Sequence, residues 1–477
     1  MKTIQLYNTL TRRKEKIVPD KGNLVRIYSC GLTVYDYAHI GNLRKYIFDD
    51  LLVRTFKYFG YEVKHVMNIT DVGHLTSDAD EGEDKIEKGA RREGMTAYDV
   101  ARHFETSFLE DLKRLNIEKP EILCRATEHI DDQINLIKTL EEKGYTYKTS
   151  DGVYFDTSKS KDYGKLARLD LAGQKEGARV ERNPEKKNPA DFALWKFSHP
   201  GGRSFDVAQD DAKGRREMEW PSPWGVGFPG WHIECSAMST KYLGQPFEIH
   251  TGGVDHIPVH HTNEIAQSEA ACDLPLAKYW VHSEHLLNEG KKMAKSEGSF
   301  LRLEDLVKKG YEPLDFRYLC LSASFQSKLS FSYDSLTQAK NSLSKLREFA
   351  QSIDAKSEIK GEGEFYKNAL NEFENAIVDN LNTPTAFAVI FNSISNAQSK
   401  GYLGRIAGDF IEKVDRIFAL DLNRDVKIPQ SVYELVKNRE RLRNKGLYDD
   451  ADKVRREIED MGFEVEDLKD TTRILQK

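Results

Sequence analysis

Leu24-Val25-Arg26-Ile27-Tyr28-Ser29-Cys30, then Gly31, a stretch from Gly41 to Tyr58, and Tyr61-Glu62-Val63-Lys64-His65-Val66-Met67-Asn68-Ile69-Thr70 together decide the fold. The first run is apolar and β-like and ends at a glycine turn. In the middle stretch Leu43, Ile47, Leu51 and Phe56 are spaced for one face of a helix. The last run is a second strand. Strand, helix and strand within roughly 50 residues make a βαβ unit, and such units build a parallel sheet. The expected fold class is therefore α/β.

Outward from this unit the pattern changes. A helix over 130–143 leads into Tyr145-Thr146-Tyr147 and Val153-Tyr154-Phe155, which predict a β-rich insertion. Residues 197–216 are Gly-rich, polar and without period, as expected of a surface loop. Sheet character returns at Phe247-Glu248-Ile249-His250 and Tyr279-Trp280-Val281-His282. Beyond Tyr311 a helical region is expected, with 3.6-residue spacing at Phe365, Ala369, Phe373, Ile377 and Leu381. Pro429 introduces a last unit dense in charge of both signs.

At 477 residues the chain is too long for one compact core. A net charge of −6 argues against a polybasic protein and is compatible with a local basic face. The opening residues lack the apolar stretch of a signal peptide or membrane anchor, and no run of about 18 apolar residues occurs elsewhere. The five cysteines are odd in number and widely spread, which is not a disulfide framework. A cytoplasmic protein is expected.

Three features carry chemistry. His39-Ile40-Gly41-Asn42 opens the first helix, where free N–H groups and the helix dipole favour phosphate and Gly41 permits close approach. Glu289 to Gly298 places Lys292 and Lys295 on a Gly-flanked loop, able to neutralise a departing pyrophosphate. Alone, these would pass for an ordinary helix start and a solvated basic loop; on one α/β framework they point to nucleotide chemistry. The third feature is a cluster: of 13 histidines, His232, His250, His256, His260 and His261 fall beside Cys235. His260 and Glu264 stand at i, i+4 on one helix face. With Cys235 and a further thiolate they would form a tetrahedral site, and sulfur favours zinc over magnesium. Spacing does not choose between His260 and His261. Cys30, at the end of the first strand, is the natural fourth ligand.

Taken together, Cys30 to Asn42, Asn68-Ile69-Thr70-Asp71, Gly230 to Met238, His250 to Asp255, and His260 to Gln267 resemble cysteinyl-tRNA synthetase, a class I aminoacyl-tRNA synthetase family. Leu381-Asn382-Thr383-Pro384 and Arg439 to Ile458 extend the similarity over nearly the whole chain. The resemblance implies zinc on Cys30, Cys235, His260 and Glu264, which selects His260. It implies an amino-acid pocket at Cys30, Thr70, Trp231 and His250. ATP would meet His39, Gly41, Asn42, Gly252, Asp255, Lys292 and Lys295, with Mg²⁺ on its phosphates. His39, Asn42, Lys292 and Lys295 would be the catalytic residues, and tRNA(Cys), ATP and L-cysteine the partners of a monomer.

The implied architecture is a Rossmann-like catalytic domain (1–130 and 221–310) split by a connective domain (131–220). A stem-contact region (311–345), a helical bundle (346–425) and an anticodon-binding domain (430–477) follow. On the last of these, Lys437 to Lys445 and then Lys453, Arg455 and Arg456 supply cations for RNA. Three positions depart from the family pattern. Asn42 stands where His is usual, and Asn cannot carry a proton charge. Ala294 replaces Ser. Leu32 replaces Pro, which predicts a looser turn after Cys30. The 197–216 loop has no counterpart. Rival readings are an ATP-dependent cysteine ligase acting on a small amine, of the mycothiol type, and a non-catalytic synthetase-like RNA-binding protein. A zinc hydrolase would need a His-Glu-x-x-His helix, which the sequence lacks.

Overall fold

A computed structural model describes residues 2–73, 86–87, 89–90, 94–168, 183–198, 216–288, 291–292, 300–424, 429–467 and 472–476. It divides into two units, one of residues 1–336 with 371–389, the other of residues 337–370 with 390–477.

The first unit opens with a hairpin of β1 (Gln5–Asn8) and β2 (Arg13–Lys16). The βαβ unit then appears as expected: β3 (Leu24–Ser29), helix α1 (Ile40–Tyr58) and β4 (Glu62–Ile69), with β3 and β4 parallel. Leu43, Ile47, Leu51 and Phe56 are all buried on α1, as their spacing requires. Helix α2 (Ala97–Arg114) leads to β5 (Ile122–Arg125), and helix α3 (Ile130–Glu142) matches the predicted 130–143 closely.

The insertion is an antiparallel sheet of β6 (Thr146–Lys148), β7 (Gly152–Phe155), β8 (Phe192–Phe197) and β9 (Gly227–Pro229). Most of the 197–216 loop lies outside the described residues. Helix α4 (Trp231–Leu243), β10 (Phe247–Gly253), helix α5 (His260–Cys272) and β11 (Ala277–Ser283) return the chain to the main sheet. That sheet runs β11-β10-β3-β4-β5, every pair parallel. The strand order reverses between β3 and β10. Connections leave there in opposite directions and open a crevice at the carboxyl ends of the strands.

Two buried cations tie α1 into this unit. Arg44 donates to the carbonyls of Glu284, His285, Ser324 and Ser327. Arg317 pairs with Asp50 at 2.5 Å, with both side chains at 0% exposure. The expectation of a helical region beyond Tyr311 needs correction at Leu329–Phe331 and, in the last unit, at its closing hairpin. Strand β14 (Leu329–Phe331) pairs in parallel with β12 (Leu286–Asn288), which also pairs with β13 (Lys291–Lys292). Three residues are too few to show a period.

The second unit is helical up to residue 418, drawing on parts of helices Tyr333–Gln351, Glu362–Val378 and Thr383–Lys400 and on helix Arg405–Phe418. Its last part is a helix pair, Gln430–Asn444 and Tyr448–Asp460, closed by a hairpin of β15 (Phe463–Asp467) and β16 (Thr472–Gln476). Val432, Val436, Val454, Ile458, Phe463 and Val465 form its core. No helix among the described residues is long and apolar enough to cross a membrane.

Candidate functional site

The crevice at the β3/β10 reversal holds a cavity of about 280 Å³. Residues that follow or end the central strands line it: Cys30 after β3, Thr70 after β4, Gly253 in β10 and Ser283 in β11. His39, Gly41 and Asn42 at the start of α1 and Trp231 at the start of α4 complete the wall. The start of α1, expected to meet phosphate, and Cys30, expected to ligate a metal, therefore face one space.

At one side of the cavity lies a buried donor cluster. The ligand atoms of Cys30, Cys235, His260 and Glu264 lie within 4.8 Å of one another. A second set, Cys30, His250, His261 and Glu264, meets the same limit. Cys30 and Glu264 belong to both, but Cys235 only to the first. Glu264 Oε1 is 3.1 Å from His260 Nε2, and Glu264 Oε2 is 2.9 Å from His250 Nε2. One carboxylate thus engages a histidine of each set. Two thiols, an imidazole and a carboxylate in one buried place form a donor set able to hold a metal ion.

The electrostatics agree. Burial raises the Cys30 thiol, but a hydrogen bond from Cys235, joined by hydrogen bonds from His256 and His260, brings it well below its ordinary value. Cys235 is pushed well up, first by that same hydrogen bond and then by burial. Burial disfavours charge on His260, yet Glu264 and Cys30 outweigh it and lift the imidazole to about 10. Burial holds His261 and His282 well below the usual histidine range. These two join at 2.7 Å, and His282 reaches Thr9 Oγ1 at 2.7 Å, so a neutral relay fixes the ring of His261. His260 is oriented in turn by His232, with the two Nδ1 atoms 3.0 Å apart. Trp231 lies against His260 with ring centroids 4.1 Å apart.

Close packing fixes the turn after Cys30. A Cβ on Gly31 would lie 1.5 Å from the Asn68 carbonyl oxygen, so only glycine fits. The turn at Leu32 is held by hydrogen bonds to the end of β4 and the residues after it. Gly31 N donates to Asn68 Oδ1, Thr70 N to the Leu32 carbonyl and Val34 N to the Thr70 carbonyl.

At the phosphate side, His39 and Asn42 form a capping box. His39 Nδ1 accepts from the Asn42 N–H at 3.1 Å, and Asn42 Oδ1 accepts from the His39 N–H at 3.2 Å. This fixes the first turn of α1, and Asn42 keeps an Nδ2 amide that the box does not use. Asp255 lines the cavity. Gly252 does not; a Cβ there would lie 2.4 Å from the His261 ring, so its need for glycine is one of packing. His250 also lies off the cavity wall, bonded to Glu264 and stacked on Trp280 at 4.4 Å. Lys292 is described only in its backbone, as part of β13, and Lys295 lies outside the described residues.

Sequence reasoning missed two residues here. Glu234, one turn into α4, is fully buried and accepts from Thr70 Oγ1 at 3.0 Å. Lys45, on the second turn of α1, lines the cavity and donates to the Cys30 carbonyl at 2.5 Å. A lone Glu or Lys in a helix carries no signal of its own. Lys45 lay three residues beyond Asn42, a helical spacing that puts both on one face.

Comparison with known proteins identifies the family. The family model described as the class I (C) tRNA synthetase catalytic domain matches residues 16–341, more than half the chain. A cysteine–tRNA ligase of Burkholderia lata is 45% identical over 99% of this chain and 96% of its own. One from Treponema denticola is 40% identical over 98% of both chains, and one from Thermococcus gammatolerans 40% over 97% of both. In fold the chain is similar to a Mycobacterium tuberculosis methionyl-tRNA synthetase solved with methionyl-adenylate. The TM-score is 0.58 at 14% identity, over 84% of this chain and 91% of that one. With its parallel sheet, its split strand order and these full-length relatives, the chain belongs to the cysteine–tRNA ligase family of class I tRNA synthetases.

Proposed function

We propose that the chain activates L-cysteine with ATP, forming cysteinyl-adenylate and pyrophosphate, and then transfers cysteine to the 3′ end of tRNA(Cys). One observation carries this reading: Cys30 belongs to the donor cluster and also lines the cavity that His39 and Asn42 enter. A sulfur-recognising group and a phosphate-recognising helix start thus face one small volume.

The first donor set, with its two thiols, suits zinc, and Cys30, Cys235, His260 and Glu264 would hold it. Bound zinc would supply a soft Lewis acid that favours the thiolate of cysteine over the hydroxyl of serine, where shape alone gives only roughly 10–200-fold selectivity. Trp231 and Thr70 wall the amino-acid end. The amide of Asn42 and the N-terminal dipole of α1 meet the phosphates, and Asp255 the ribose. Lys292 and Lys295 neutralise the leaving pyrophosphate, with Mg²⁺ arriving on ATP. No protein nucleophile is needed, because the substrate carboxylate attacks the α-phosphate and the terminal adenosine hydroxyl attacks the adenylate. Positioning and aimed charge supply the acceleration.

The domain divisions expected from the sequence, a monomeric state and a cytoplasmic location are part of the same reading. So is anticodon contact by the 430–477 unit. Its exposed Lys437 and Arg441 stand four residues apart on one helix face, and the exposed Lys445 caps the same helix. The test is cysteine-dependent ATP–pyrophosphate exchange, followed by an acceptor assay with tRNA(Cys) and with small amines. Exchange with cysteine and charging of tRNA support the reading. Exchange with transfer only to an amine would reassign the second step, and no exchange would refute the first.

A further inference from the structure

Lys45 has a place in the site that helix stability does not explain. Its Nζ is 2.7 Å from Asp49 Oδ2, with side-chain exposures of 11% and 4%. Lysine N-terminal to the acid is the less favourable order for an i, i+4 pair. A buried ion pair is also weak grounds for stability, since apolar side chains of the same volume often serve as well. What the pair does achieve is a closed circuit around Cys30. The Cys30 carbonyl accepts from Lys45 Nζ at 2.5 Å. Asp49 Oδ1 accepts from Thr251 Oγ1 at 2.7 Å. The Thr251 carbonyl accepts from the Cys30 N–H at 3.3 Å. Both backbone polar groups of Cys30 are therefore fixed, one to β10 and one to α1.

The consequence is geometric. Helix α1 carries His39 and Asn42 at its start, and Lys45 follows on its second turn. A tether from that turn to Cys30 sets the distance between the sulfur-binding and phosphate-binding ends of the cavity. The substrate must span that distance, with its thiol at one end and its carboxylate at the α-phosphate.

We propose that Lys45 is a positioning residue that, with Asp49, fixes Cys30 to the phosphate-side helix and so sets the preference for thiol over hydroxyl substrates. This rests on the reading that Cys30 helps hold zinc and that cysteine is the substrate. Lys45→Met removes the tether while keeping most of the buried stem; Asp49→Asn weakens it from the other end.

Two measurements on the full chain decide the matter. The first is metal affinity by chelator competition, together with the absorption spectrum of the cobalt-substituted protein. Residues supporting a metal ligand typically matter by about 10–100-fold in affinity. A loss of that size in Lys45→Met, with a shifted sulfur-to-cobalt band, is expected. The second is pyrophosphate exchange with cysteine and with serine, where the cysteine-to-serine ratio should fall by about 10-fold or more. Lys45→Arg, which keeps a cation able to reach both oxygens, should recover part of each. If Lys45→Met melts earlier yet keeps metal affinity, spectrum and substrate ratio, the pair is structural and the proposal fails. Should Lys45→Met not fold, Asp49→Asn gives the same two readouts, and wild-type values in both would overturn the proposal. Absence of cysteine-dependent exchange in the wild type would refute the substrate reading alone, because affinity and spectrum still report on the tether.

Discussion

The Thr70 hydroxyl donates to Glu234 Oε2 over 3.0 Å, and both side chains are buried. Asn68 Nδ2 donates to the same hydroxyl at 3.1 Å. With its proton spent on Glu234 and one lone pair on Asn68, Thr70 has one acceptor site left for the cavity it lines. That suits a substrate ammonium, with the Glu234 charge behind it. Glu234→Gln should raise the KM for cysteine by about 10-fold or more with a smaller change in kcat, since a hydrogen bond to a charged group contributes about 1.5–3 kcal/mol. Unchanged KM in steady-state pyrophosphate exchange would count against this role.

Two donor sets share Cys30 and Glu264, and substitution separates them. Cys235→Ser should cut metal affinity by orders of magnitude and leave exchange with cysteine nearly abolished. His261→Ala should weaken affinity much less, because it removes a neighbour held by His282. The reverse order, read by metal content after dialysis, would select the second set. Removal of metal by chelation should likewise suppress cysteine-dependent exchange.

Arg317 and Asp50 form an ion pair at 0% exposure. Removing one partner of such a pair typically costs about 3–5 kcal/mol, because the other charge is left buried. Arg317→Met should show a loss of that order in urea unfolding of the first unit. The double variant Arg317→Met with Asp50→Leu should recover part of it. A single variant as stable as the wild type would show that Arg54, 2.8 Å from Asp50, suffices as its partner.

His65 predicts an acid sensitivity. Burial, then the charge of Lys45, lowers it to about 3. The folded value lies below that of the unfolded chain, so the unfolded chain binds the proton first. This contribution to stability is complete above about pH 6.5 and is lost as pH falls from there toward 3. Melting temperature followed from pH 7 to pH 5 should fall less steeply in His65→Phe than in the wild type. Equal slopes would assign the acid loss to other groups.

Arg439 tests the last unit. It is 1% exposed and pairs bidentately with Asp467 at 2.6 and 2.7 Å, joining helix Gln430–Asn444 to β15. It is thus a structural pin and not one of the RNA-facing cations. Arg439→Met should lower tRNA charging several-fold and leave pyrophosphate exchange intact. Loss of both would place the effect outside this unit.

The sequence made the βαβ unit legible because β3, α1 and β4 are long enough to show their periods. The buried donor cluster was legible for a different reason. Histidine and cysteine are scarce, so their crowding near Cys235 stands out without any fold. Tertiary proximity was not legible. Nothing local to Lys45 or Glu234 announces that one reaches the Cys30 carbonyl and the other Thr70. The same holds for Gly252 and His250, whose motif suggested ligand contact and whose packing against His261 and Glu264 puts them behind the cavity wall. The three-residue strand β14 was hidden by its shortness, and Arg439 by neighbours of like charge.

The reversal of strand order has a cost in time. β3 pairs with β10, yet more than two hundred residues separate them in the chain. At translation rates of about 5–20 residues per second, β3 waits about ten to forty seconds on the ribosome for that neighbour. For that interval one edge of β3 is uncovered, the Cys30 thiol has none of its eventual partners from α4 and α5, and the nascent half-sheet is exposed to oxidation and to pairing with another chain. Synthesis of this protein is therefore expected to depend on whatever shields an unfinished sheet until its second half arrives.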